Sequence, residues 1–268
     1  MFNLKVFLAE FIGTFALVFI GVSVGVVNGN NLVIVALAQG FVLAVFLYAY
    51  GNISGSHINP AVTFGLALNG TIKWLQAVFY WIAQFAGAIL AASLLNYVLK
   101  TLGGTVDGGL TIGYLTNPDA ASTPNYMMAM AIEAILTFLL VNTYLHTVVA
   151  GKAGQLGGLA VGLTLALAIM AGGPFTGGSL NPARTFGVAI FATPTVQSIA
   201  NPFLYVVYFV GPLLGATLAV LAYNYFVGIT DEDLDDEEED VVVVEAVDEV
   251  VVEEKPVRKS SSRKVAKE

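Results

Sequence analysis

One interrupted pattern, written twice inside a nearly uncharged apolar chain, constrains this protein more than any other feature. Residues 1–227 carry five basic side chains (Lys5, Lys73, Lys100, Lys152 and Arg184) and four acidic ones (Glu10, Asp107, Asp119 and Glu133). Six stretches, near 5–27, 32–50, 73–99, 127–149, 155–172 and 202–227, are apolar and long enough to cross about 30 Å of hydrocarbon at about 1.5 Å per residue. Two further stretches, 59–69 and 181–191, are too short, since about ten helical residues reach only about 15 Å. Each begins Asn-Pro-Ala, as Asn59-Pro60-Ala61 and Asn181-Pro182-Ala183. Asn is a good helix N-cap and Pro is favoured at the first helical position. Both short stretches are therefore expected to be re-entrant half-helices that start near the midplane.

The interruption recurs because the chain is internally duplicated. Glu10-x-x-x-Thr14-Phe15 returns 123 residues later as Glu133-x-x-x-Thr137-Phe138, and Leu37-Ala38-Gln39-Gly40 returns after 122 as Leu159-Ala160-Val161-Gly162. Asn59-Pro60-Ala61 also returns after 122, and Gly87-Ala88 returns after 128 as Gly215-Ala216. Each copy holds three spanning helices, an odd number, so the second must enter from the opposite face. The expected fold is an all-α membrane protein with six transmembrane helices and two half-helices in an inverted repeat. Residues 1–100 form the first repeat, 101–126 an external connecting loop, 127–227 the second repeat, and 228–268 a tail. Lys5, Lys73 and Lys152 fall on one side and Lys100 on the other, so the excess of positive charge places both termini in the cytoplasm of a cell-membrane protein.

Composition excludes other classes. Charged residues make up 11%, against about 25% in a typical soluble domain. The net charge of −8 is made by the tail, which holds 6 basic and 15 acidic residues (−9) against +1 for the rest. Nucleic acid is therefore not a partner. There are no cysteines, and the two histidines, His57 and His146, are far apart in sequence, so no metal site is expected. The first apolar run exceeds the roughly 7–15 residues of a signal-peptide core and reads as a retained spanning helix. The acidic, Val-rich tail, ending near Arg258-Lys259-Ser260-Ser261-Ser262-Arg263-Lys264, reads as disordered and solvated.

The polar groups inside the apolar frame carry the chemistry. Residues 51–58 and 172–180, rich in Gly and Ser, cannot be helical throughout, and irregular backbone at membrane depth survives only when buried in protein or lining a wet cavity. Their carbonyls would form rungs along a pore. The amides of Asn59 and Asn181 would donate to an oxygen at its centre, where two helix N-termini disfavour a cation. Arg184, the one charged residue in either half-helix, lines the path or is buried against carbonyls. Glu10 and Glu133 are either a proton relay or supports for the two loops. His57 packs against the first loop or faces the path.

Gly-Asn-Ile-Ser-Gly-Ser-His-Ile-Asn-Pro-Ala-Val-Thr at 51–63, Ser-Leu-Asn-Pro-Ala-Arg-Thr-Phe-Gly at 179–187 and Ala-Glu-Phe-Ile-Gly-Thr-Phe at 9–15 together resemble the aquaporin (major intrinsic protein) family over residues 5–227. The wording of residues 51–55 looks closest to archaeal-type members. The resemblance implies a six-helix bundle in the bilayer with one pore per subunit, a homotetramer, and neither catalysis nor a cofactor. It implies that Glu10 and Glu133 accept hydrogen bonds from the loops, and that Arg184 lines an outer constriction with Gln39, Ile169 and Gly178. Water channels of this family carry an aromatic and a histidine at the first two of these positions, so Gln39 and Ile169 depart from the pattern: Ile169 and Gly178 imply a wider constriction, less polar on one side, and Gln39 returns a polar group on another. Thr185 and the Tyr208-Phe209 pair instead match water channels. The expected function is a passive channel for water, with glycerol or other small neutral solutes as further candidates and with protons and ions excluded. The rival is a secondary transporter, since inverted repeats and broken helices occur there too.

Overall fold

The computed structural model describes residues 2–104, 125–191 and 199–227. Most of the expected connecting loop at 101–126 and all of the expected tail at 228–268 lie outside these residues. The described residues fold into eight helices: α1 Leu4–Val27, α2 Leu32–Ser54, α3 Pro60–Leu68, α4 Trp74–Thr101, α5 Tyr126–Val149, α6 Gly157–Thr176, α7 Pro182–Ala189 and α8 Pro202–Val227. All but α3 and α7 are long and apolar enough to cross a membrane. Leu8, Phe41, Leu94, Leu139, Leu167 and Leu221 stand exposed on their outer faces, as lipid contact demands.

Helix starts follow one device. Asn3, Asn31, Asn59, Asn125, Asn181 and Asn201 cap α1, α2, α3, α5, α7 and α8, each side chain accepting from a backbone N–H of the first turn. At the two buried caps, Asn59 and Asn181, an orphan donor could not turn to bulk water, which makes these caps worth more than the usual ~1 kcal/mol.

Two helices run further than sequence reasoning expects. α2 continues past residue 50 to Ser54, and α6 continues past 172, through Pro174, to Thr176. The stops are Gly55 and Gly177, in left-handed conformation at φ 84° and 86°. Gly172 and Gly173, which look like helix breakers, are packing residues: a Cβ on either would overlap Leu136 or Leu32. α5 and α8 each contain a π turn, at Leu145–Val149 and Val206–Val210.

Small residues set the crossings, since lipid supplies no hydrophobic drive between helices and close van der Waals packing must serve instead. α2 crosses α6 at Gly40 and Gly162, where a Cβ on Gly40 would stand 2.5 Å from the Gly162 carbonyl oxygen and one on Gly162 would overlap that of Gly40. α1 packs on α4 with Gly87 against the Phe11 carbonyl, and α5 packs on α8 with Gly215 against that of Ala134. The half-helices are held crosswise: α3 from the first repeat packs on α8, and α7 from the second packs on α4.

Candidate permeation pathway

The two loops that lead into the half-helices are held by buried carboxylates. Glu10 Oε1 accepts from Ser54 Oγ (2.7 Å) and the His57 N–H (2.9 Å), and its Oε2 accepts from the Ile58 N–H (2.7 Å) and Gln84 Nε2 (2.8 Å). Glu133 repeats the scheme: Oε1 accepts from Thr176 Oγ1 (2.6 Å) and the Ser179 N–H (3.0 Å), and Oε2 from the Leu180 N–H (2.7 Å). The fourth donor is missing because Pro212, 128 residues after Gln84, stands in its place.

These bonds hold a backbone that would not choose its conformation. Ser56, Ile58 and Leu180 have φ of 48°, 40° and 55°, in the left-handed region that L side chains avoid. Such strain costs about 1–3 kcal/mol per residue and persists only where surroundings over-determine it. At Ile58 they do, since its N–H is taken by Glu10 and its carbonyl oxygen by Asn181.

Three tyrosines add support from the helix ends. The Tyr80 hydroxyl donates to the Ser54 carbonyl and that of Tyr208 to the Thr176 carbonyl, both at 2.6 Å. The Tyr144 hydroxyl donates to Gly55. Tyr208 stands out in the sequence only as half of the Tyr208-Phe209 pair, and Tyr80, Tyr144 and Gln84 are not candidates there. The signal was present, because Tyr80 and Tyr208 are 128 residues apart, as Gly87 and Gly215 are, and Ser54 and Thr176 keep the 122 spacing.

Asn59 and Asn181 meet across the junction of α3 and α7. The Asn59 side-chain amide donates to the Leu180 carbonyl and the Asn181 amide to the Ile58 carbonyl, each at 2.9 Å. Their Oδ1 atoms accept from Ala61 N–H (2.8 Å) and from the N–H groups of Ala183 (3.0 Å) and Arg184 (3.1 Å). Each NH₂ thus has one hydrogen committed to the opposite loop and a second to offer. Pro60 and Pro182 occupy the first helical positions, and Ala61 and Ala183 are fully buried beneath them.

Both asparagines line a cavity of about 10 Å³, room for about one water. Gln39, His57, Ile58, Ser179 and Arg184 line it too, beside the apolar Leu17, Leu43, Val62, Leu140 and Leu165. His57 combines both roles expected of it, since Nδ1 is 3.1 Å from Thr63 Oγ1 while the residue lines the cavity. Of the four expected constriction residues, Gln39 and Arg184 line the cavity. Ile169 is fully buried beside Gly178, whose Cβ would stand 3.0 Å from the Ile169 Cα. Gly178 is glycine because α6 lies against it and because its φ is 57°. His146, as expected near a helix end, is 2.9 Å from the Asn142 carbonyl and edge-on to Tyr223. Among the described residues no group of three His, Cys, Asp or Glu is placed to hold a metal ion.

Two half-helices tied tip to tip by reciprocal asparagine bonds, on duplicated glutamate supports, form a specific arrangement, and a family description fits it over nearly the whole core. The "Major intrinsic protein" family matches residues 1–223. The chain belongs to the major intrinsic protein family. Relatives of this major intrinsic protein include "Aquaporin TIP2-1" of Arabidopsis thaliana, 41% identical over 243 residues, covering 85% of this chain and 90% of the relative. "Aquaporin TIP2-1" of Zea mays is 37% identical, covering 87% and 92%, and "Probable aquaporin TIP-type RB7-5A" of Nicotiana tabacum is 38% identical, covering 84% and 89%. These are plant proteins, so the archaeal-type likeness expected from residues 51–55 is not borne out. Five residues at the end of α2, the last helical one bonded to Glu10, carry little information about lineage. The X-ray structure of the aquaglyceroporin from Plasmodium falciparum superposes with a TM-score of 0.68 at 24% identity, covering 82% of this chain and 95% of that one, and shares its fold.

Proposed function

We infer that this protein is a passive transmembrane channel that conducts water in single file, admits small neutral solutes such as glycerol, and excludes protons and ions. The carrying observation is the pair Asn59 and Asn181, each with one amide hydrogen free of the protein, at a cavity wide enough for about one water. A water that accepts from both amides turns its own hydrogens toward the two ends of the path. It then cannot relay a proton through the centre, while the two helix N-termini raise the electrostatic cost of a cation there. Apolar walls from Leu17, Leu43, Val62, Leu140 and Leu165 keep binding weak, which conduction requires.

Arg184 and Gln39 set the polar side of the constriction, with Ile169 and Gly178 beside them. No bulky aromatic stands at these four positions, which favours passage of neutral solutes larger than water. Glu10 and Glu133 act as supports, since every one of their carboxylate oxygens already accepts from a loop donor. That occupancy weighs against the secondary-transporter reading, which needs a carboxylate able to trade its partners for a coupling ion. Relatives named aquaporin support the channel reading, and with it a role without catalysis. Both termini are placed on the cytoplasmic side by the lysine distribution. The assembly is a homotetramer in the bilayer.

Stopped-flow light scattering on proteoliposomes tests the reading with water and glycerol side by side. Shrinkage faster than in empty vesicles, linear in the gradient and without a proton current, is expected. Saturable uptake driven by an ion gradient would instead establish the transporter.

A further inference from the structure

Gln39 carries the one side-chain amide at the cavity that is left without a partner. The residue is 1% exposed, lines the cavity with Asn181 and Arg184, and its Nε2 has no hydrogen-bond partner among the described residues. A buried donor of this kind calls for an explanation. The carbon and nitrogen atoms of the same side chain lie flat across Gly21 of α1. A Cβ at position 21 would stand 3.0 Å from Gln39 Cγ, 3.1 Å from Cδ and 3.2 Å from Nε2, all inside the 3.5–4.0 Å of normal contact. Leu17, one turn before Gly21 on the same face of α1, is itself a lining residue.

The second repeat carries different residues at the matching positions. Position 144 follows Gly21 by 123 residues, as Glu133 follows Glu10, and it is a fully buried tyrosine whose hydroxyl reaches Gly55. Position 161 follows Gln39 by 122, and it is a buried valine. In one repeat the first helix supplies the bulk and the second a small apolar residue. In the other the first helix supplies nothing and the second a long amide, and there the two positions share one space.

We propose that Gly21 is a specificity-determining positioning residue: its missing side chain gives the Gln39 amide a recess in α1, and the depth of that recess sets how far the amide projects into the permeation path. The proposal rests on the reading of Gln39 as a constriction residue. Any side chain at position 21 displaces the amide off α1, and Gln39 is among the residues that line the cavity holding about one water. A shift of a few tenths of an ångström therefore changes conduction.

The test measures water and glycerol permeability per inserted channel in proteoliposomes for wild type, Gly21→Ala, Gly21→Val, Gln39→Ala and Gly21→Ala/Gln39→Ala. Alanine is the better helix former, so Gly21→Ala does not threaten α1 itself. Expected are a several-fold loss of water permeability in Gly21→Ala, a larger loss in Gly21→Val, and recovery in the double variant to the level of Gln39→Ala. Unchanged permeability in Gly21→Ala and Gly21→Val overturns the proposal, as does an equal loss in the wild-type and Gln39→Ala backgrounds, which would mark a general packing defect. If Gln39→Ala alone leaves the ratio of glycerol to water permeability unchanged, the constriction reading fails first and the proposal with it.

Discussion

Asn59 and Asn181, 122 residues apart, are bound to each other's loops: each side-chain amide donates at 2.9 Å to the carbonyl that precedes the other asparagine. The reciprocity joins the two repeats at the tips of α3 and α7, beside the bond from Tyr144 to Gly55 that also crosses between them. One pair of side chains therefore ties the two repeats together at the cavity it lines.

Replacing Asn181 by Ala removes both its bond to Ile58 and its cap on α7, and leaves a strained carbonyl buried without a partner. The loss is expected to be about 1–3 kcal/mol for the orphaned acceptor and about 1 kcal/mol for the cap. The thermal midpoint in detergent should fall and water permeability with it. A variant as stable and as conductive as wild type would show that the cross-loop bond is idle.

The two glutamates are not equivalent. Glu10 accepts four donors, including Gln84 Nε2, whereas Glu133 accepts three, with Pro212 where a fourth would be. Substitution by Gln weakens every charge-assisted bond and turns an NH₂ toward N–H groups. Glu10→Gln should therefore destabilise the fold more than Glu133→Gln, by about 1.5–3 kcal/mol for the extra bond to a charged group, read as a larger drop in the thermal midpoint. Equal losses in the two variants would contradict the count.

Arg184→Ala should widen and neutralise the outer path. Glycerol permeability is expected to rise relative to water, and a cation leak to appear in vesicles under a potential, since a positive charge at a constriction repels cations. Retention of wild-type selectivity in both assays would mean that Arg184 faces the protein rather than the path.

Gly162→Ala places a methyl group into the Gly40 carbonyl at the crossing of α2 and α6. Overpacking of this sort typically costs about 1–3 kcal/mol, and here the neighbour is backbone, which cannot rotate away. Reduced yield of folded protein and a lower thermal midpoint are expected. Gly158→Ala, at a looser point of the same interface where the nearest neighbour is the Leu47 side chain at 3.2 Å, serves as the control.

Much of this was legible in the chain itself. Apolar length dictates spanning helices because hydrocarbon leaves a backbone no other partner than itself. The Asn-Pro-Ala pairs dictate two short helices because Asn caps and Pro starts, and the constant offsets tie Glu10 to Glu133 and Asn59 to Asn181. These are local or periodic properties, and one sequence is enough to state them. Only the tertiary structure decided which glycines are stops and which are contacts, because Gly55 and Gly172 differ in what lies beside them rather than in residue type. It alone brought Tyr80, Tyr144, Tyr208 and Gln84 onto the loops, and set Gln39 across Gly21. Those relationships join atoms from separate helices, and the distances between such atoms are fixed only when the helices pack.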